Sequence, residues 1–397
     1  MFILFIIYIC FKQMELASTM LKYVAQKLAF ICMGLSISIV SVCVFAEKQQ
    51  VLRLLVWEGY APEIQREKFR RLISKKYSID IILKVNYIVD AEDGFAALRL
   101  KKADIVSPAH NRINDKRFKM IDSGLLLPLN LDNLPNYQQL NPSFKYSKYL
   151  VKDGVHYGLP FAWGPYGLVY NTAYFDEPPQ SWNILWDPKY KGQYSVADYG
   201  EINVYLTALA MGYNKNALSD FDQLNNKAFQ AKLTSLIANA KSLWEGVDTA
   251  DDLMQNKLAS SWGFSLPELK KRGETWKWAY PREGVPGWID NHVLSQELAD
   301  KPELKRIAEE WINFTISAEF QNSVLVEALG TNPVNMMTVE KATEAQKRGF
   351  YATSLSESKA LIVLMPQLDR RTRNGIDNIW NTALKHLSES TKSTNTQ

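Results

Sequence analysis

Residues 51–60 read Val51-Leu52-Arg53-Leu54-Leu55-Val56-Trp57-Glu58-Gly59-Tyr60, a short apolar run that breaks into an aromatic, acidic, glycine-bearing turn. Such a run, closed by a turn signal, has the character of a buried strand. Ala61 to Lys76 follows as a helix with Ile64, Phe69, Leu72 and Ile73 on one side. Ile79 to Tyr87 returns as a strand, Asp93 to Leu100 makes a short helix carrying Phe95 and Leu98, and Ala103-Asp104-Ile105-Val106 is a third strand before Ser107-Pro108. The βαβαβ order defines the fold class as α/β, with a parallel sheet covered by helices. Ligands on such sheets collect beyond the carboxyl ends of the strands, and the turn from Trp57 to Tyr60 lies at the end of the first.

Farther along, Gly158-Leu159-Pro160-Phe161-Ala162-Trp163-Gly164-Pro165 has the punctuation of a crossing between two lobes, and Gly167 to Asn171 starts a new strand. Ser181 to Gly192 reads as a short helix and turn, Gln193 to Ala197 as a strand, and Glu201 to Met211, Phe229 to Leu243 and Pro302 to Ile316 as helices. Roughly 350 residues beyond the N-terminal segment exceed one comfortable core, so two lobes are expected. The division read from the sequence gives residues 47–160 with 284–330 to one lobe and 161–283 with 331–387 to the other. Crossings fall near Trp163, Glu283 and Gly330, and 388–397 is a polar tail expected to be disordered.

All three cysteines, Cys10, Cys32 and Cys43, lie in the first 46 residues. That region has the layout of a secretory signal peptide: Lys22 and Lys27, an apolar stretch from Leu28 to Val42, and Val44-Phe45-Ala46 as a cleavage site. An uncleaved anchor is the weaker reading, because the run is short of the roughly 20 apolar residues a spanning helix needs. Residues 1–19 read as an over-long start, with Met20 as the true initiator. The secreted chain begins near Glu47, has no cysteine, and is expected in the periplasm. Residues 1–46 hold three lysines and one glutamate, so the +4 of the whole chain becomes about +2 without them. So balanced a charge, with no concentrated basic surface, argues against nucleic acid as a partner.

Acids and large aromatics recur together in Trp57-Glu58-Gly59-Tyr60, Asp198-Tyr199-Gly200-Glu201, Ser261-Trp262-Gly263 and Trp288-Ile289-Asp290. Ammonium groups favour carboxylates and ring faces while methylenes favour ring surface, so the pattern suits a flexible organic cation such as a polyamine. Each member also has a plainer reading. Asp198 with Glu201 ahead of a helix is a capping box as readily as a ligand contact. Trp57, Trp262 and Trp288 fit a core, and Tyr60 can simply close a turn. The histidines His110, His156, His292 and His386 are scattered without metal-ligand spacing, and no nucleophile elbow, phosphate loop or dinucleotide fingerprint occurs, so no metal, cofactor or catalytic set is expected.

These landmarks, in order, resemble a type II periplasmic solute-binding protein, and within that superfamily the spermidine/putrescine-binding proteins of bacterial ABC transporters. The similarity runs through Trp57 to Tyr60, Asp104 to Pro108, Leu159 to Gly164, Ser181 to Gly192, Asp198 with Glu201, Ser261-Trp262-Gly263, Pro281 to Asp290, and Ala328-Leu329-Gly330 before Asn332-Pro333, spanning about residues 51–385. The resemblance implies a two-lobed, hinged, monomeric fold with a ligand cleft between the lobes. It also implies roles. Trp57, Tyr60, Trp262 and Trp288 line a slot for the alkyl chain, with Glu58 beside them. Asp290 and Glu201 take a terminal ammonium, Asp198 takes another amine, and Gln367 meets the far end.

The sequence departs from the family at Ala109-His110-Asn111, where an aromatic wall is lost, at Gly59, where a relative has an acid, and at Thr331, which replaces a tyrosine. A looser pocket with altered length preference follows, and His110 either enters the gap or, as is commoner for a loop histidine, sits exposed. The membrane partner implied is an ABC permease that receives the polyamine. The alternative is a transmembrane cyclic-di-GMP enzyme controlling biofilm formation, as with norspermidine-sensing relatives.

Overall fold

The computed structural model describes residues 12–17, 19–22, 48–343, 347 and 362–394. Most of the segment read as a leader, the expected cleavage site and all three cysteines lie outside them. No described helix is long and apolar enough to cross a membrane.

The opening pattern folds as a parallel βαβαβ unit. Strand β1 (Lys48–Val56) pairs in parallel with β2 (Ile79–Tyr87) on one side and with β3 (Ile105–Val106) on the other. The intervening helix α1 (Glu63–Tyr77) buries Gln65, Phe69 and Ile73. These recur every four residues and so share one narrow face. Ile64 and Leu72, expected on that face, sit one residue off it and are exposed. Phe69 stands edge-on to Trp311, at 5.0 Å between centroids, which ties α1 to the helix Pro302–Thr315.

The larger, eight-stranded sheet continues through β4 (Gly158–Pro165) and a long strand, Val285–Ser295, buried along its whole length and antiparallel to both β3 and β4. A smaller, five-stranded sheet holds Gly167–Asn171, Tyr194–Ala197, Ser242–Trp244, Leu258–Ser261 and Trp276–Trp278. The chain thus crosses from sheet to sheet at Tyr166, after β4, rather than after residue 160. It returns between Trp278 and Val285. Residues 331–387 do not all belong with the smaller sheet as expected: Asn332–Pro333 and Ile362–Leu364 pair into the larger one, so the third crossing falls after Met365 instead of at Gly330.

Two further expectations are corrected. The helix Lys227–Asn239 stops where Ala240 turns extended, and Ser242–Trp244 pairs as a strand with Tyr194–Ala197. The helix Arg370–Thr394 carries the backbone through most of the polar tail read as disordered, and it packs on the helices Gly200–Ala210 and Lys227–Asn239 of the smaller lobe.

The turn after Leu258–Ser261 needs glycine. Gly263 has φ +92°, and a Cβ there would lie 2.4 Å from the Trp278 ring. Left-handed strain and overpacking then act together, so Gly263→Ala should destabilise the protein by about 1–3 kcal/mol. Denaturant unfolding checks this; an unchanged midpoint would contradict the packing described.

Candidate functional site

Asp290 is the centre of the site. In the long strand Val285–Ser295 it stands opposite Ala162, and Trp288, two residues earlier on the same face, stands opposite Gly164. The register shifts just after Asp290, and Ala109 bridges to it from the segment following β3. The site therefore forms where the larger sheet loses its regular pairing. Tyr60, from the turn after β1, donates its hydroxyl to Asp290 Oδ2 at 2.6 Å, and its ring packs edge-on to Phe161. Gly59 permits that turn: it has φ +86°, and a Cβ would meet Leu329 at 2.7 Å. The glycine found where a relative has an acid is thus set by geometry.

Asp290 is 7% exposed and, among the described residues, has no salt-bridge partner. Burial pushes its carboxyl up to about 7, with the Tyr60 hydroxyl and then the Trp57 side chain opposing the rise. The same burial, and the neighbouring carboxylate, hold the Tyr60 hydroxyl well above the ordinary tyrosine range, so Tyr60 remains a donor.

The aromatic wall spans both lobes. Trp288 is buried, anchored by its indole N–H to the Pro165 carbonyl at 3.1 Å, and meets Trp262 of the smaller lobe in a T-shaped contact at 6.4 Å. Phe264 stands 5.9 Å from Trp288, and Tyr166 stands 4.7 Å from Trp262. Trp262 is half-buried on a turn organised by a residue that sequence reasoning passed over, Asp248. Its carboxylate accepts from the Trp262 N–H at 2.8 Å, from the hydroxyls of Ser261 and Ser265 at 2.7 and 2.5 Å, and from the Ser265 N–H at 3.3 Å. The serines flanking Trp262 were the available signal. Burial still raises the Asp248 carboxyl, against those four donors.

Glu201, expected to take a terminal ammonium, is already paired with two arginines of the chain. Its carboxylate accepts from Arg112 at 2.7 Å and Arg373 at 2.9 Å, and more weakly from Tyr205 and Asn111. Burial opposes its charge, yet the two guanidiniums hold its carboxyl below the usual range. The capping-box reading fails too. Tyr199 is the N-cap residue, the cap has no side-chain hydrogen bond, and Glu201 faces the arginines. Neither arginine was singled out from sequence. Arg112 lies on the short helix α2 (His110–Ile113), immediately after a family departure, and Arg373 on the final helix, distant in the chain.

The remaining residues divide. Trp57 is half-buried near the first strand's end, while Glu58 and Asp198 are exposed. Gln367 is half-buried, and its amide nitrogen has no hydrogen-bond partner among the described residues. Thr331 is buried and donates to the Trp163 carbonyl. His110 is fully buried, not exposed: the Ile289 N–H donates to Nδ1, and Nε2 donates to the Met365 carbonyl. Burial lowers its pKa to about 4, so the ring is neutral and serves to pin Ile289, beside Asp290, to the segment leading to Gln367.

Two α/β lobes with a buried acid and a lobe-spanning aromatic wall at their junction make this a two-lobed solute-binding protein of type II. The family described as bacterial extracellular solute-binding protein matches residues 101–350, and the chain belongs to it; it is a binding protein and not an enzyme. The putrescine-binding periplasmic protein SpuD of Pseudomonas aeruginosa (strain UCBPP-PA14) is 22% identical over 358 residues, which are 84% of this chain and 92% of that relative. The solved spermidine/putrescine ABC transporter substrate-binding protein PotD from Streptococcus pneumoniae superposes with a TM-score of 0.68 at 21% identity, covering 85% of this chain and 99% of that one. The Tp0655 (TpPotD) lipoprotein of Treponema pallidum gives a TM-score of 0.63 at 18% identity, over 84% and 99%.

A raised carboxyl has a consequence for the ligand-free protein. The stability tied to a protonated Asp290 is full below the ordinary aspartate range near 4 and is lost as pH rises to about 7. Asp290→Asn cannot ionise. It should match its parent at pH 4 and exceed it at pH 8 by a few kcal/mol. Melting curves at the two pH values measure this, and a variant less stable than its parent at pH 8 would contradict it.

Proposed function

We propose that the protein binds a polyamine of the putrescine/spermidine class in the periplasm, closes its lobes over it, and delivers it as a monomer to an ABC permease. The observation carrying this reading is Asp290: a buried acid at the lobe junction, held by the Tyr60 hydroxyl, flanked by Trp288 and provided with no cation by the described residues. An ammonium completes that arrangement. It returns the carboxyl to its charged form and meets ring faces along its alkyl stem. SpuD is named for binding putrescine and the Streptococcus pneumoniae protein for spermidine/putrescine transport, which supports the choice of cation.

In this reading Trp57, Tyr60, Trp262 and Trp288 line the slot. Asp290 takes the terminal ammonium, Asp198 and Glu58 attract cations at the rim, and Gln367 supplies the polar group at the far end. Closure brings Trp262 of one lobe against Trp288 of the other and removes the charge pair from water. The ligand shifts a population between open and closed forms and undergoes no chemistry.

Calorimetry with putrescine and spermidine tests the proposal, with tryptophan fluorescence as a second readout of Trp262 and Trp288. Asp290→Asn should weaken amine binding by about 2–5 kcal/mol, the usual loss for one partner of a buried charge pair. Affinity should also fall about tenfold per pH unit below 7 as Asp290 takes up its proton. Binding of an anionic solute, with no heat from any di- or triamine, would overturn the reading.

A further inference from the structure

Glu201 occupies the position from which the family resemblance has a ligand ammonium held, yet in this chain two internal cations hold it. Arg112 reaches it from α2 on the larger lobe, and Arg373 from the final helix on the smaller one. Arg112, Glu201 and Arg373 are 3%, 4% and 6% exposed. Arg373 also donates to Asp115 at 2.7 Å, and Asp115 is in turn paired with Arg117, which reaches Glu92, so the network Arg112–Glu201–Arg373–Asp115–Arg117–Glu92 holds three positive and three negative groups and is neutral as a unit.

An ammonium brought to Glu201 would therefore meet two guanidiniums on the same carboxylate. Like charges at such distances in a dry interior repel strongly. The other acids assigned to the slot, Asp198 and Glu58, are exposed, where water and salt screen attraction. Of the acids assigned to the slot, Asp290 is the one that is buried and has no cation among the described residues.

We infer that Arg112 is a specificity-determining residue: its guanidinium serves as a built-in cation on Glu201, so the slot grips one ammonium, at Asp290, and gains little from a second or third. This rests on the reading that Asp290 takes an ammonium. The slot then gives no premium to longer polyamines, and putrescine binds about as well as spermidine. Removing Arg112 leaves Glu201 half-neutralised and open to a distal ammonium, which restores a premium on longer polyamines.

Calorimetry of the parent, Arg112→Gln and Arg112→Lys against putrescine and spermidine tests this. The parent should bind the two amines within about tenfold of each other, Arg112→Gln should shift the ratio toward spermidine by at least about tenfold, and Arg112→Lys, which keeps a cation, should keep the parent's ratio. A parent that prefers spermidine by more than about tenfold overturns the inference, and that measurement needs no variant. A folded Arg112→Gln with the parent's ratio also overturns it. Amines that bind with an unshifted ratio leave the polyamine reading standing; if no amine binds the parent or either variant, that reading falls, and the inference falls with it.

Discussion

A carboxylate buried without a cation is costly, and Asp290 is held in that state by the architecture around it. Its strand is buried along its length, its register breaks at that residue, and Ala109 closes on it from the neighbouring segment. The Tyr60 hydroxyl and the Trp57 side chain are insufficient to keep it ionised against burial, which is why its carboxyl rises to about 7. A group kept in this condition is a candidate for function because strain of this kind is relieved when a partner arrives.

Two other buried acids show how the same fold disposes of a charge when no ligand is intended. Asp248 is given two hydroxyls and two backbone N–H groups and is used to shape the turn that carries Trp262. Glu201 is given Arg112 and Arg373 and joins the lobes through a neutral cluster. Removing one partner of such a buried network leaves a naked charge, so both are fixed features of the scaffold. Asp290 differs from both in having, among the described residues, neither a full set of donors nor a cation.

Much of the fold was legible because it depends on local pattern. The apolar runs at Val51 to Val56 and Ile79 to Tyr87, separated by a helical period, lead directly to a parallel pair. Trp288 and Asp290 share a face by strand alternation alone. The parts that were not legible depend on partners far apart in the chain. Nothing local to Asp198 and Glu201 reveals that Arg373, on the last helix, will neutralise Glu201. Nothing local to His110 reveals that Ile289 and Met365 will enclose it. The third crossing was misplaced for a similar reason: strands as short as Asn332–Pro333 and Ile362–Leu364 carry no periodicity, and only the sheet they join identifies their lobe.

The most direct test of the central claim, that Asp290 becomes charged by pairing with the ligand's ammonium, is proton release. With its carboxyl near 7, Asp290 is about half protonated at pH 7, so binding should release roughly half a proton per ligand. Putrescine titrated calorimetrically at pH 7 in buffers of different ionisation enthalpy reads that number from the slope of the observed heat. A slope of about half a proton released, absent in Asp290→Asn, is the result expected; heats of binding that do not depend on the buffer would contradict the account.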